Sequence, residues 1–320
     1  MNRLVKRLDK NVEAMLKLAL CYLFQLGLKQ GLFEMTTAPT TLEELLSKVR
    51  TPNGGYLKRL IETYVKLGIL SMEGEKLVLE DFSYEFNILK DDVRELRPEW
   101  VEALEELYKM AGYAFISREH PKILMDFDKG ADFWDMRLLM EPYRTGRELA
   151  IELLGLEDGI DVVDLGCGSV SPVEVGEAVG PNGKYVGVDF SPGLLSIART
   201  RVKNSRMDWV FLKEMDVRKL LPKNRYDAVL MNYLLGYVPS PMDVVKKALD
   251  LLNPGGRLLI VDVFRDKNPL SLALEFFESL TPEFVKFPTT SEIIRSVEES
   301  YHEAEVRPVG NSVLLVELLE

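Results

Sequence analysis

The 320 residues of this chain are enough to bury two hydrophobic cores, so the length favours a catalytic domain with one accessory domain. Its two cysteines, Cys21 and Cys167, exclude a disulfide framework and a zinc cluster, and we expect no metal site. The net charge of −11 argues against a nucleic-acid partner for the chain as a whole. Residues 1–70 are nevertheless basic, because they carry 11 Lys or Arg against 6 Asp or Glu, a balance of +5 that leaves −16 for the remainder.

The sequence also suggests where the protein works. The longest apolar stretch, Leu16–Leu28, is interrupted by Lys17 and Gln25, and we find no cleavable signal before it. We therefore expect a cytoplasmic protein that does not span a membrane. Charged residues make up 28% of the chain and glutamine is nearly absent, a balance typical of a thermophile.

Residues 1–85 have the element order of a winged-helix domain. Thr41 and Glu44 form a capping box that begins a helix, and Gly74 is at the turn of a predicted hairpin. The predicted elements are a helix over 10–33, a helix from 41, a helix over 56–67 and a two-stranded wing over 69–79.

This order resembles the amino-terminal module of many small-molecule O-methyltransferases, where the module makes dimers. The resemblance implies a homodimer. The alternative is that the basic face, with Lys58 and Arg59 on the third helix, contacts the phosphates of a nucleic-acid substrate.

Residues 86–150 are predicted to be a helical linker that continues into a lid. Their aromatic and apolar stripe is typical of a buried core, but its position before the next domain is also that of a lid over a substrate. The stripe comprises Phe127, Phe133, Trp134, Met136, Met140, Tyr143 and Arg144. We expect Trp134 to face the substrate, and Tyr143 and Arg144 to face a bound cofactor.

From residue 151 onward, strands and helices alternate, which predicts a parallel sheet in an α/β domain over 151–320. The predicted strands are 160–165, 184–189, 207–212, 226–231 and 257–263, and the helices are 171–179, 191–203 and 241–252. Pro308 and Asn311 divide the last stretch into a closing hairpin with an antiparallel edge.

A glycine turn after the first of these strands is the strongest functional feature. In Asp164-Leu-Gly-Cys-Gly168, residues without Cβ let the backbone approach a ligand, and Asp189 ends the next strand where it can hold a ribose diol. The dinucleotide-binding motif has a third glycine at the position that Ser171 occupies in this chain. Asp164 would repel a pyrophosphate but suits the cationic aminoacyl end of S-adenosylmethionine.

Further along the chain, Asp216 and the Val217 amide are placed to bind an adenine, and Asn253-Pro-Gly-Gly256 stops a helix before a new strand. Together with the glycine turn, these motifs resemble the class I S-adenosylmethionine-dependent methyltransferases, whose fold is a Rossmann-like α/β sheet. The resemblance implies a set of cofactor-binding residues. They are Asp164, Gly166, Cys167, Gly168, Asp189, Phe190, Asp216, Val217 and Asn232, with Tyr143 and Arg144 from the lid.

The residues at the end of the fourth strand indicate the chemical class of the methyl acceptor. Many small-molecule O-methyltransferases have a histidine base there, whereas this chain has Asn232, Tyr233 and Tyr237, and its histidines, His120 and His302, lie elsewhere. An Asn oxygen and a stacking Tyr suit an exocyclic amine on a ring, so we predict that Asn232, Tyr233 and Tyr237 carry the chemistry.

With the basic winged helix, this site is similar to that of the archaeal ribosomal RNA cytidine N4-methyltransferases, although the two prolines of amino-methylating enzymes are missing. That resemblance implies an RNA substrate. Two alternatives stay open: a homodimeric small-molecule N- or O-methyltransferase, and a regulatory protein that binds the cofactor without catalysis.

Overall fold

The computed structural model describes residues 2–84, 93–119 and 125–319. Its amino-terminal part contains α1 (Asn2–Lys29), α2 (Leu32–Met35), α3 (Leu42–Val49) and α4 (Gly54–Lys66), with strands β1 (Thr40–Thr41), β2 (Leu70–Glu73) and β3 (Lys76–Leu79). The three strands pair in the order β1-β3-β2, and β2 and β3 form the predicted hairpin. The Thr41 and Glu44 capping box is present as predicted, because it satisfies two free amides at the start of α3.

A helical region joins this part to the large sheet. Its helices are α5 (Trp100–Ile116), α6 (Ala131–Leu139) and α7 (Tyr143–Leu154), preceded by a 3-10 turn at Val93–Glu95.

The second part is a seven-stranded sheet flanked by helices. The strands are β4 (Asp161–Leu165), β5 (Lys184–Asp189), β6 (Val210–Glu214), β7 (Tyr226–Asn232), β8 (Leu252–Val261), β9 (Ala304–Pro308) and β10 (Val313–Leu318). The helices are α8 (Ser171–Val179), α9 (Pro192–Asn204), α10 (Pro241–Asp250), α11 (Ser271–Glu278) and α12 (Thr290–Glu298).

The strand order is β6-β5-β4-β7-β8-β10-β9, with β4 to β8 parallel and β10 antiparallel to both of its neighbours. The predicted Rossmann-like α/β fold and its closing hairpin are therefore confirmed. The order reverses between β4 and β7, which makes a crevice at the carboxyl ends of these strands.

Three elements begin more than two residues away from their predicted starts. Helix α1 begins at Asn2 rather than near residue 10, and β6 begins at Val210, which pairs with Tyr185. Strand β8 begins at Leu252 and runs through the Asn253-Pro-Gly-Gly256 turn, because the register against β7 shifts there and absorbs the turn as an irregularity.

Helix α1 packs against α5, α7 and α11 and belongs to one hydrophobic core with them. The Arg3–Lys29 stretch is long and apolar enough to cross a membrane by length and composition alone, but more than half of its most apolar window is buried in this core. Asp9 accepts hydrogen bonds from the amide of Asn311, before β10, at 3.0 and 3.1 Å. The first helix is thereby tied to the far end of the large sheet.

Candidate active site

A cavity of about 220 Å³ opens at the carboxyl ends of β4, β5 and β7. One side, the acidic half, is lined by Gly166, Gly168, Asp189, Phe190, Leu194, Asp216, Val217 and Arg218. The other side, the aromatic half, is lined by Phe127, Trp134, Leu138, Tyr143, Asn232, Tyr233, Tyr237 and Glu283. Most of the predicted site residues therefore meet in one place, as expected for side chains at one edge of a parallel sheet.

The glycine turn forms the floor of the acidic half. Gly166 and Gly168 have φ of 75° and 58°, a backbone region that residues with a side chain rarely adopt. Asp189 is 6% exposed, and its carboxylate accepts hydrogen bonds from the amides of Gly168 at 2.8 Å and Ser191 at 2.9 Å. These bonds fix the carboxylate at the cavity, and burial raises its pKa.

Asp164 and Cys167 do not line the cavity, which corrects their prediction as direct contacts. Asp164 lies behind the turn, where it accepts hydrogen bonds from the hydroxyls of Ser171 and of Tyr185, the latter at 2.6 Å. Burial raises the pKa of Asp164 to about 6. The sulfur of Cys167 points toward Gly187 in the neighbouring strand. Both side chains therefore shape the turn from inside the domain.

Asp216 lines the cavity beside Val217, as predicted, but its carboxylate is already engaged. Arg218 donates to it through its amide at 2.9 Å and through its guanidinium. This hydrogen bonding lowers the pKa of Asp216. Phe190, 44% exposed, covers the mouth of the same half.

Stacked rings build the aromatic half. Trp134 lies 4.3 Å from Phe127 in a stacked pair, and Tyr237 meets both rings edge-on at 5.9 and 5.4 Å. The Tyr143 ring lies 4.6 Å from the Tyr233 ring. The lid aromatics are therefore both core and cavity wall.

A buried ion pair holds this wall in place. Arg137 on α6 donates to Glu278 on α11 at 2.7 and 3.3 Å, and both side chains are nearly inaccessible. Arg137 also donates to the Tyr143 hydroxyl at 2.9 Å, and the Tyr237 hydroxyl donates to Glu278 at 2.8 Å. Burial raises the pKa of Tyr143 to about 12, so both tyrosines stay neutral.

Arg144 is not at the cavity, contrary to the prediction. It donates to Glu99 at 3.2 Å and to the carbonyl of Leu139 at 2.6 Å. Neighbouring helical residues point in directions about 100° apart. Tyr143 therefore lines the cavity while the side chain of Arg144 is directed to Glu99.

Asn232 and Tyr233 lie together where β7 ends. Tyr233 has φ of 53°, an uncommon backbone conformation for a residue with a bulky side chain and one that clusters at functional sites. Asn232 donates weakly to the Tyr143 carbonyl at 3.5 Å, and a Cβ at Gly146 would come within 2.6 Å of its Oδ1. Asn232 Oδ1 and the Tyr233 hydroxyl are both buried without a hydrogen-bond partner among the described residues.

The remaining predicted residues lie away from the cavity. Lys58 and Arg59 are exposed on α4, where Lys58 approaches Glu62 at 3.9 Å. His302 contacts Asp250 at 2.8 Å and does not line the cavity, and His120 lies outside the described residues.

Four charged residues of the site were not predicted from the sequence: Arg137, Arg218, Glu278 and Glu283. Glu283 lies in the irregular segment 279–289, between α11 and α12. Only the opposite charges of Arg137 and Glu278 hinted at a pair, and nothing in the sequence places them together.

The comparisons with known proteins agree with this geometry. Residues 156–304 match a family model described as a methyltransferase domain. An uncharacterized protein of Methanocaldococcus jannaschii is 29% identical over 317 residues, which cover 98% of this chain and 86% of that protein. The demethylmenaquinone methyltransferase of Halalkalibacterium halodurans is 26% identical over 151 residues, which cover 47% of this chain and 62% of that enzyme.

Among solved structures, the CurJ carbon methyltransferase superposes with a TM-score of 0.67 at 17% identity, covering 99% of this chain and 95% of that one. At this identity the superposition shows the shared fold.

The sheet order, the glycine turn and the matched domain together define a class I S-adenosylmethionine-dependent methyltransferase domain. The protein is an enzyme that uses S-adenosylmethionine as its methyl donor. The residues present fit this cofactor, because the fixed Asp189 carboxylate suits a ribose diol, and side chains at Gly166 and Gly168 would meet Leu234 and Leu138.

Proposed function

We propose that this enzyme methylates the exocyclic amine of a planar heteroaromatic ring, and specifically the N4 amine of a cytidine in ribosomal RNA. The observation that carries the proposal is the position of Asn232. Its side chain lines the cavity at the end of β7, its Oδ1 has no partner among the described residues, and aromatic rings lie on the same wall.

An amine on an aromatic ring needs help of a particular kind. Its lone pair is conjugated into the ring, so an oxygen acceptor that binds its N–H favours the pyramidal nitrogen that can attack a methyl group. In this proposal the amide of Asn232 turns its oxygen from Gly146 toward the acceptor, beside the Tyr233 ring that lies 4.6 Å from the Tyr143 ring. A flipped base would gain a stacking face from the same rings.

Bound S-adenosylmethionine supplies a methyl group on a positively charged sulfur, which is already activated toward attack. The protein has mainly to position the acceptor. In this proposal Asp189 holds the ribose, Val217 and Asp216 lie against the adenine, and Trp134 and Tyr237 exclude water from the acceptor.

We further propose that residues 1–85 are a winged-helix module that grips RNA phosphates, in a cytoplasmic enzyme. The order of α3, α4 and the β2-β3 hairpin supports the module, and the exposure of Lys58 and Arg59 supports phosphate contact.

A small-molecule acceptor is the second candidate, with the same module as a dimer interface. The charge of the cavity favours this candidate over RNA. Among the described residues that line the cavity, Arg218 is the one basic side chain, and it is already paired with Asp216. Quinone-like rings would suit the aromatic half, and the similar enzymes include a demethylmenaquinone methyltransferase.

The test is to incubate the enzyme with methyl-labelled S-adenosylmethionine and either total RNA or a small-metabolite extract of the source organism. We expect label in RNA, and N4-methylated cytidine after digestion to nucleosides. Label confined to the metabolite extract would refute the RNA substrate and support the second candidate.

A further inference from the structure

Glu283 is a charged residue of the cavity that the motifs do not account for. Among the described residues that line the aromatic half, Glu283 is the one with a carboxylate. The carboxylates of Asp189 and Asp216 line the acidic half. Its Oε2 is buried and has no hydrogen-bond partner among the described residues. A buried carboxylate oxygen without a partner costs free energy, so its presence in a residue that lines the cavity indicates a ligand with a donor group.

The segment that carries Glu283 is anchored on both sides of it. The amide of Val285 donates to the Gly236 carbonyl at 2.9 Å, beside Tyr237, and the amide of Phe287 donates to Glu275 at 2.8 Å. Phe284 packs edge-on against Tyr237 at 5.3 Å. Glu283 is therefore held against the aromatic wall where the acceptor would stack.

The electrostatic surroundings suit a proton acceptor. Burial raises the pKa of the Glu283 carboxyl, and the negative charges of Asp126 and Asp128 raise it further. A carboxylate with a raised pKa is a stronger base, and bases in active sites act best when their pKa is near the working pH. Arg137 is the positively charged residue behind the aromatic half. It is paired with Glu278 and therefore does not serve as the basic partner of Glu283.

We propose that Glu283 binds an N–H of the methyl acceptor and takes the proton that the nitrogen releases. The inference rests on the proposed nitrogen acceptor. In this step the nitrogen lone pair forms the new N–C bond and the C–S bond breaks, its electron pair remaining on sulfur to give neutral S-adenosylhomocysteine. The N–H bond then breaks, its electron pair stays on nitrogen, and the proton passes to Glu283.

The experiment compares Glu283→Gln and Glu283→Asp with wild-type enzyme, using labelled S-adenosylmethionine and whichever fraction, total RNA or metabolite extract, takes up label. We expect kcat to fall about 100-fold in Glu283→Gln, because the shape remains and the base is lost. Glu283→Asp keeps a carboxylate and should retain more activity than Glu283→Gln.

Cofactor affinity by calorimetry should change less than about twofold in both variants, which also shows that they fold. Glu298→Gln, an exposed glutamate on α12, is the matched control and should behave as wild type. A kcat for Glu283→Gln within threefold of wild type would overturn the inference, as would a Glu283→Asp enzyme no more active than Glu283→Gln.

The position of the methyl group in the product separates this inference from the proposed function. If the product is N-methylated and Glu283→Gln keeps its activity, the inference alone fails. If the methyl group is on oxygen or carbon, the proposed function fails and the role of Glu283 as an N–H acceptor fails with it.

Discussion

Replacing Arg137 by Met should destabilise the protein by about 3 to 5 kcal/mol, because the change leaves the Glu278 carboxylate buried and uncompensated. Glu278 is 2% exposed, and apart from Arg137 the hydroxyl of Tyr237 is the side chain that donates to it. Removing the guanidinium also takes away the donor to the Tyr143 hydroxyl. The converse change, Glu278→Gln, should cost a similar amount, since it strands the charge on Arg137.

The double variant Arg137→Met/Glu278→Leu removes both charges, so it should be more stable than either single variant. Urea unfolding followed by tryptophan fluorescence measures all three, and Trp134, 4.5 Å from the Arg137 guanidinium, reports on this region. The control is Arg257→Met, which breaks a pair with Glu317 whose side chains are each over two-fifths exposed, and should shift the midpoint little. Single variants within about 1 kcal/mol of wild type, or costs that simply add in the double variant, would refute this reasoning.

Four further changes have expected outcomes, and the first two are in the site. Asp189→Ala should weaken S-adenosylmethionine binding by about 1 to 3 kcal/mol and also lower the melting temperature, because two backbone amides lose their acceptor; unchanged calorimetric affinity would contradict its role. Asn232→Ala should lower the methyl-transfer rate on the order of 100-fold with a smaller loss of cofactor affinity, and a nearly normal rate would exclude it from the chemistry. The double change Lys58→Glu and Arg59→Glu should abolish salt-sensitive RNA binding and leave cofactor affinity intact. If wild type binds no RNA and light scattering shows that the double variant is a monomer where wild type is a dimer, these residues belong to a dimer interface instead. Burial raises the pKa of Asp262 to about 7, so its contribution to stability is present below about pH 4 and is lost as the pH rises through 7. The stability of Asp262→Asn relative to wild type should therefore increase from about pH 4 to about pH 7, and a difference in melting temperature that stays constant over this range would contradict this.

The acidic half of the site could be predicted from the sequence because its geometry is local. A strand followed at once by glycines, and a second strand ending in Asp189, must meet at one edge of a parallel sheet, so two short motifs define the floor of the cavity. The aromatic half could not be predicted in the same way. Arg144 and Arg137 are both arginines of the lid, and only the packing of α6 on α11 decides which one faces the tyrosines. Glu283 has no periodic pattern around it, and hydrogen bonds from its neighbours to distant elements bring it to the wall.

Helix α1 also bears on how the chain folds while it is being synthesised. Its surroundings include α7 and α11, and Asp9 binds an amide 302 positions further along the chain. The ribosome therefore releases this apolar helix before α7, α11 and Asn311 exist, and contacts of such separation close slowly. We expect nascent chains that end before β10 to expose the apolar face of α1 and to require a chaperone, whereas the released full-length chain buries it.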